Sequence, residues 1–405
     1  MGQERVRAIL AELGHPESGL RGALIAGTNG KGSTAAVLAS ILSCAGHRVG
    51  LMPKPHLSSY TERIQIDGRP IGEEEFAAAV AAIRDPVEGI AARFGHPTEF
   101  EILTALAVAH LAPRVDRLVC EVGMGGRLDA TNVLELGVAV VTNVALDHRQ
   151  YLGDTVEEIA AEKAAIVKPG NAVVTAARPP ALAVVEAAAR GRGGPLWRLG
   201  QEIRLTSRSL GWEGVELDVA GPGFEHRGLR TRLLGLHQAE NAALAVAAAH
   251  ALGDAGEDSV RAGLERTRWP GRLELVASSP RVLLDGGHNP DGLGRTGAEL
   301  RRLIGGEALV IVFGAMADKD LAGLAEALRE MAPAAVVFTA AAGAGGRAAS
   351  PGELRRIYGM GTVATPAAAA VERARDLAGG TGNVLVCGSL YLVGEVRPSL
   401  VGGEH

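Results

Sequence analysis

A chain of 405 residues is long enough for two domains. With 47% hydrophobic but only 3% aromatic residues, its cores must be built from Ala, Val, Leu and Gly, which suits tightly packed α/β layers. A net charge of −5 with no basic block excludes an evident nucleic-acid face, and no apolar run approaches the roughly 20 residues that span a bilayer.

The N-terminal Met1-Gly2-Gln3-Glu4-Arg5-Val6-Arg7 reads as a charged helix rather than a signal peptide. Cys44, Cys120 and Cys387 stand alone in apolar stretches. That is the pattern of reduced, structural thiols in a cytoplasmic protein, not of a zinc site.

Residues 4–13 have helical spacing, with Val6, Ile9, Leu10 and Leu13 on one side. Ala23-Leu24-Ile25-Ala26 then has strand character and runs into Gly27-Thr28-Asn29-Gly30-Lys31-Gly32-Ser33-Thr34, after which 35–42 reads as a helix. Strand, glycine turn and helix make a phosphate cradle: backbone N–H groups curl around an anion at the positive end of a helix. Lys31 would meet the outer phosphates, and Ser33 or Thr34 would hold magnesium. Gly32 between Lys31 and Ser33 breaks the strict Walker spacing. A plain tight turn is the ordinary alternative; three glycines, a lysine and the hydroxyls of Ser33 and Thr34 at one strand end argue against it.

Residues 48–52 form a second short strand, followed by the polar loop 53–64 with Pro53 and Pro55. The loop is either a surface excursion or a stiffened segment near the phosphates. Residues 73–93 and 99–112 are helical by spacing. Thr98 with Glu101 three residues on fits a capping box, which accounts for Glu101 structurally.

The strand at 117–122 is of the buried type, so Glu121 near its end is out of place unless paired or bound to a metal. A glycine-rich turn, 123–132, follows. The strand from Val138 delivers Asp147 and His148 beyond its carboxyl end. Ligands of open parallel sheets gather outside such ends. Three strands ending in Lys31/Ser33, Glu121 and Asp147/His148 therefore point to a magnesium–nucleotide site, magnesium favouring oxygen ligands.

On the helix predicted over 155–167, Val156, Ala160, Lys163 and Val167 share one stripe. Lys163 either snorkels to water or is a buried amine of lowered pKa, reactive or modified. Short alternating stretches at 196–234 suggest a small antiparallel insert, and an alanine-rich helix opens at Leu236.

Residues 269–274 break that helix pattern and mark the expected boundary between domains 1–272 and 273–405. Beyond it, strands at 281–285, 308–313, 334–339 and 383–388 alternate with helices at 292–304, 320–331, 352–358 and 366–377, a second, smaller parallel α/β domain. Its strand ends carry Asp285 with His288, Asp318-Lys319-Asp320, and Ser389. Each could be an ordinary cap; two domains with polar strand ends suggest two substrates meeting in a cleft. The Ala/Gly stretch 340–349 reads as a mobile loop. No internal repeat is evident.

Taken jointly, these residues resemble the Mur-ligase superfamily, and within it folylpolyglutamate synthase and its bifunctional relative dihydrofolate synthase. The resemblance spans nearly the whole chain. Its marks are 27–33, Pro55-His56-Leu57 with Tyr60-Thr61-Glu62-Arg63, 121–132, Leu146-Asp147-His148, Glu162-Lys163-Ala164 and His237-Gln238 with Asn241. Pro270-Gly271-Arg272, Asp285 with His288-Asn289-Pro290, and Asp318-Lys319-Asp320 complete the set.

The resemblance implies a P-loop-containing, mostly parallel-sheet ATPase domain plus a smaller Rossmann-like α/β domain. It implies an ATP-dependent ligase that joins L-glutamate to a reduced folate, or to dihydropteroate, through an acyl phosphate. It places Thr28, Asn29, Gly30, Lys31, Gly32, Ser33, Asn241, Arg272 and Asp285 on ATP, and Ser33, Glu121, His148 and a carbamylated Lys163 on magnesium, two ions being expected. Thr98, Glu99, Phe100, Glu101, Leu128, Asp129 and Ala130 fall on the folate side. His288 and Ser389 fall near glutamate or the acyl phosphate, and Lys31, Lys163 and His288 are the implied catalytic residues. A cytoplasmic monomer with small-molecule partners, no nucleic acid and no membrane is the corresponding expectation.

Two departures stand out. The family usually has Ser before Pro-His-Leu, where its hydroxyl binds magnesium; here that position is Lys54. The chain also begins late relative to the family, which carries a pterin contact in its N-terminal stretch. This either leaves the dihydrofolate synthase activity open or marks a truncated start. The competing readings are a muramoyl-type amino acid ligase and a catalytically impaired nucleotide-binding homologue.

Overall fold

The computed structural model describes residues 3–402; Met1 and Gly2, read above as part of the charged N-terminal stretch, lie outside the described residues. The chain divides into two compact units. The first takes Met1–Arg208, Glu216–Thr231 and Gln238–Thr267, and the second Ser209–Val215, Arg232–His237 and Arg268–His405. Among the described residues, no helix is long and apolar enough to cross a membrane.

An eight-stranded sheet forms the first unit's frame, in the order Arg69–Pro70, Gln65–Ile66, Val49–Met52, Arg117–Glu121, Gly22–Ala26, Gly137–Val141, Ala172–Thr175, Leu196–Arg198. From Val49–Met52 onward every neighbour is parallel; the two short edge strands pair antiparallel. All five residues of Gly22–Ala26 are buried, because a parallel strand covered on both faces must be apolar throughout. The helix Leu236–Leu252 is buried along most of its circumference, and Ala242, Ala243, Ala245, Ala247, Ala248 and Ala249 let neighbours approach closely.

Leu196–Arg198 corrects the expected insert, since it belongs to the eight-stranded sheet through pairing with Ala172–Thr175. The separate small sheet contains only Arg204–Ser209, Val215–Gly221 and Phe224–Thr231. Its consecutive strands are neighbours joined by short turns, which only antiparallel pairing permits.

Six strands order the second unit's sheet: Glu274–Ser278, Arg281–Leu284, Asn383–Cys387, Leu309–Phe313, Ala335–Phe338, Thr362–Val363. All neighbours are parallel except the first pair. The four strands and four helices expected here are all present, with ends shifted by a residue or two. Glu274–Ser278, which begins at the last residue of the expected 269–274 boundary, is an antiparallel edge strand. The Ala/Gly stretch expected to be a mobile loop contains a 3-10 segment, Ala342–Arg347, and tucks Ala344 and Ala349 into the interior.

Candidate active site

In the first unit, Ile25 lies opposite Glu121 and Ala26 opposite Val141. The glycine turn therefore leaves the sheet between two neighbouring strand ends, where open parallel sheets bind ligands. Gly30 caps the helix Lys31–Cys44 in the left-handed region, at φ 83°. A Cβ there would run into the side-chain amide of Asn241, and one on Gly27 would run into the Thr142 hydroxyl. Glycine is required at both positions by what stands beside them.

The neighbouring strand end pins the turn. Thr28 N donates to Asn143 O (2.9 Å), Asn29 N to Asn143 Oδ1 (2.8 Å), and Thr142 Oγ1 to Asn29 O (2.7 Å). Thr28 Oγ1 donates to Ala145 O (3.1 Å) and accepts from Ala145 N (3.0 Å). Lys31 Nζ reaches back to the carbonyls of Gly27 (3.1 Å) and Thr28 (3.0 Å). Ser33 and Thr34 are buried in the helix's first turn, and Thr34 Oγ1 has no hydrogen-bond partner among the described residues.

Lys163 does not snorkel. It is 4% exposed, on the helix Val156–Ala164, and its Nζ donates to Gly27 O at 3.0 Å. Two lysine nitrogens thus share the carbonyl of the first glycine in the cradle. Burial, and next the Lys31 cation, pull Lys163 from its ordinary 10.5 down to about 7 against the opposing pull of Asp147 and Glu162. A substantial share of the side chain is therefore neutral amine, a nucleophile, near neutral pH. The 123–132 turn docks on the same helix through Arg127, whose N donates to Glu162 O (2.9 Å) and Nε to Glu162 Oε1 (2.8 Å).

Glu121 is 3% exposed, and its Oε2 accepts the backbone N–H of Lys54 at 3.0 Å. His148 caps a short helix in the left-handed region (φ 50°), its Nε2 3.9 Å from Asp147 Oδ1. A hydroxyl (Ser33), a carboxylate (Glu121) and an imidazole (His148) fit magnesium as a donor set, with oxygen the better part. Lys163 as an ammonium has no lone pair to offer them, and as a neutral amine it is a nitrogen donor that magnesium disfavours.

The loop after Met52 is stiffened rather than a loose excursion. The Glu62 carboxylate collects backbone N–H groups from Leu57 (2.6 Å), Ser58 (2.9 Å) and Ser59 (2.9 Å). Arg63 Nε donates to His56 Nδ1 (2.8 Å), consistent with burial and then Arg63 holding His56 below its ordinary pKa.

The residues implied for folate divide. Thr98 and Glu101 form the expected capping box, and Glu101 Oε2 takes Thr98 N (2.7 Å), Thr98 Oγ1 (2.8 Å) and Arg5 Nε (3.0 Å). Burial pushes the Glu101 pKa up, but the Thr98 amide and Arg5 outweigh it and hold the carboxylate ionised. Asp129 is likewise engaged, Oδ2 accepting from Gly123 N and Met124 N (both 3.0 Å) and Oδ1 from Thr131 N (2.9 Å). Ala130 is buried and Leu128 exposed. Glu99 accepts from the Tyr60 hydroxyl (3.0 Å), and Phe100 faces the Lys54 ammonium.

Asn241 is buried beside Gly30 and donates to Gln238 Oε1 (2.9 Å). In the second unit, Asp285 organises its own strand end. Oδ1 accepts from Gly287 N and Thr296 Oγ1 (both 2.9 Å), and Oδ2 from Leu273 N (2.9 Å). Arg272 Nη1 donates to Gly271 O (3.1 Å), and His288 Nδ1 lies 3.1 Å from Gly286 O, a bond that puts the proton on Nδ1. Ser389 caps the helix Leu390–Leu400 and Asp320 the helix Leu321–Glu330. Sequence reasoning gave no role to Thr142 and Asn143, which lock the cradle; a Thr-Asn pair at a strand end was the available signal.

Residues 25–249 match the Mur ligase middle domain, and residues 271–390 the Mur ligase glutamate ligase domain. The chain is 38% identical over 342 residues to a dihydrofolate synthase/folylpolyglutamate synthase of Bacillus subtilis, covering 82% of this chain and 80% of that one. It is 34% identical over 416 residues to the folylpolyglutamate synthase of Lacticaseibacillus casei, covering 99% and 94%. Among solved structures, Mycobacterium tuberculosis folylpolyglutamate synthase complexed with ADP is similar at a TM-score of 0.94, with 32% identity over 99% of this chain and 95% of that chain. A glycine cradle held by its neighbouring strand end, a buried lysine beneath it, and matches along nearly the whole chain place this protein in the folylpolyglutamate synthase family of Mur ligases.

Proposed function

We propose that this protein is an ATP-dependent ligase that forms an amide between the carboxylate of a reduced folate, or of dihydropteroate, and the amine of L-glutamate. The observation that carries the reading is the pair Lys31 and Lys163 on the Gly27 carbonyl, at 3.1 and 3.0 Å, inside a phosphate-type turn. In this reading the first unit binds ATP, and Arg272, Asp285, His288 and Ser389 of the second serve ATP and glutamate. The protein acts as a cytoplasmic monomer.

The cradle's N–H groups and the helix end hold the triphosphate, and Lys31 exchanges the Gly27 and Thr28 carbonyls for phosphate oxygens. An oxygen of the acceptor carboxylate attacks the terminal phosphorus and ADP leaves. The glutamate amine then attacks the acyl carbon, phosphate departs, and the amine's proton is lost to solvent. Ser33, Glu121 and His148 would hold magnesium, which would supply charge neutralisation at the phosphates. Lys163 would join that set after modification: its neutral nitrogen adds to CO2 and releases one proton, turning a buried neutral amine into an anion. Catalysis is then chiefly positioning and electrostatics.

The test offers dihydropteroate and tetrahydrofolate in parallel with ATP, magnesium, bicarbonate and L-glutamate, and reads the products by mass. Glutamylated tetrahydrofolate supports the reading, and glutamylated dihydropteroate adds the second activity. ADP formation only with a muramoyl nucleotide would overturn it.

A further inference from the structure

Lys54 lies in the first unit, on the loop that follows Val49–Met52. Its Nζ is buried and has no hydrogen-bond partner among the described residues. The group it faces is the ring of Phe100, with Nζ 4.5 Å from the ring centroid. A ring face attracts an ammonium but accepts none of its three N–H bonds in full. Leaving a charged donor buried and unsatisfied is costly unless another molecule brings the acceptor.

The position is built, not accidental. Met52 lies opposite Cys120, and the Lys54 backbone N–H is tied to Glu121 Oε2 at 3.0 Å. Pro53 and Pro55 fix the φ angles on either side. Phe100 stands in the first turn of the helix Glu99–Leu111 and packs against the Gly123 turn, 2.8 Å from where a Gly123 Cβ would be. The ammonium therefore lies between the strand end that carries Glu121 and the helix that the folate reading assigns to the acceptor.

We infer that Lys54 is a substrate-binding residue whose ammonium takes an oxygen of the acceptor's reacting carboxylate. This rests on the ligase reading given above. An anionic oxygen completes the ammonium's bonding, and the contact orients the carboxylate that is to be phosphorylated. A lysine is a point charge with rotatable donors, so it can follow the oxygen as the carboxylate becomes an acyl phosphate.

The experiment compares tetrahydrofolate with its analogue in which the terminal side-chain carboxylate is a carboxamide. Binding of each to the wild-type protein, Lys54→Met and Lys54→Arg, all with ADP present, is read by calorimetry. A charge-assisted bond predicts a wild-type preference for the carboxylate of about tenfold or more. Lys54→Met should erase that preference, Lys54→Arg should keep most of it, and ADP affinity should stay within about twofold. Because the readout is a ratio, partial loss of folded protein leaves it intact.

An undiminished preference in Lys54→Met overturns the inference, as does equal weakening of both compounds. So does a change confined to ADP–magnesium affinity, which would assign the charge to the nucleotide. A wild-type protein that binds neither compound overturns the ligase reading itself, and this assignment with it.

Discussion

Gly30→Ala is the sharpest perturbation of the cradle. Gly30 sits at φ 83°, and holding a side-chain-bearing residue there costs about 1–2 kcal/mol. The new Cβ would fall 3.0 Å from Asn241 Cγ and 3.3 Å from its Nδ2, closer still to Oδ1. Asn241 would have to swing away and give up its 2.9 Å bond to Gln238, worth about 1 kcal/mol. Together these predict a loss of about 2–3 kcal/mol in urea denaturation, with ADP affinity falling more than about tenfold as the turn's N–H groups lose their aim. Asn241→Ala removes the obstacle along with the bond, so the double variant should be about 1 kcal/mol more stable than the sum of the single effects predicts. Additivity within about 0.3 kcal/mol would refute the claim that Gly30 is required because Asn241 stands over it.

Glu101→Ala should cost about 2–3 kcal/mol of stability through the lost capping box and the stranded Arg5, while the acceptor KM of the folded enzyme changes little. A large KM change at intact stability would make Glu101 a ligand contact instead. His250 is held from its ordinary 6.5 down to about 4 by burial and then by His226, with the two Nε2 atoms 2.8 Å apart. Between those values the unfolded chain takes up a proton that the folded one refuses. Stability is therefore full above about pH 6.5 and declines as pH falls toward 4, by about 1–2 kcal/mol once solvent access to the ring is allowed for. His250→Leu should flatten that part of the pH–stability curve, and an unchanged slope refutes the assignment. Lys163→Ala should lower ADP formation more than about 100-fold and abolish any dependence on bicarbonate, with partial rescue by a small carboxylic acid in solution. Near-wild-type turnover in the variant would refute the carbamate.

What the sequence made legible follows from how local each signal is. The cradle, the Thr98 capping box and the second unit's buried strands were readable because their patterns are contiguous: glycines with a lysine, a capping pair three residues apart, apolar runs bounded by glycine. Leu196–Arg198 was misplaced because three residues carry no period, and its pairing with Ala172–Thr175 is a non-local fact. Glu274–Ser278 hid behind Pro270 and Gly271, whose composition reads as a break even though an edge strand follows. Thr142 and Asn143 look like the polar end of any strand until the turn they hold is seen beside them. Periodicity put Lys163 on an apolar stripe but could not choose between snorkelling and burial; the Gly27 carbonyl at 3.0 Å decided it. The Ala/Gly stretch near 340–349 suggested mobility, yet small residues serve equally well to pack closely, as Ala344 and Ala349 do.

The most direct test of the account is the coupling of ATP turnover to amide formation. With tetrahydrofolate, L-glutamate, magnesium and bicarbonate present, ADP and glutamylated tetrahydrofolate should appear in equal amounts, and omission of either acceptor or glutamate should stop sustained turnover. ADP release unaffected by the folate, or no glutamylated product while ATP is consumed, would contradict it.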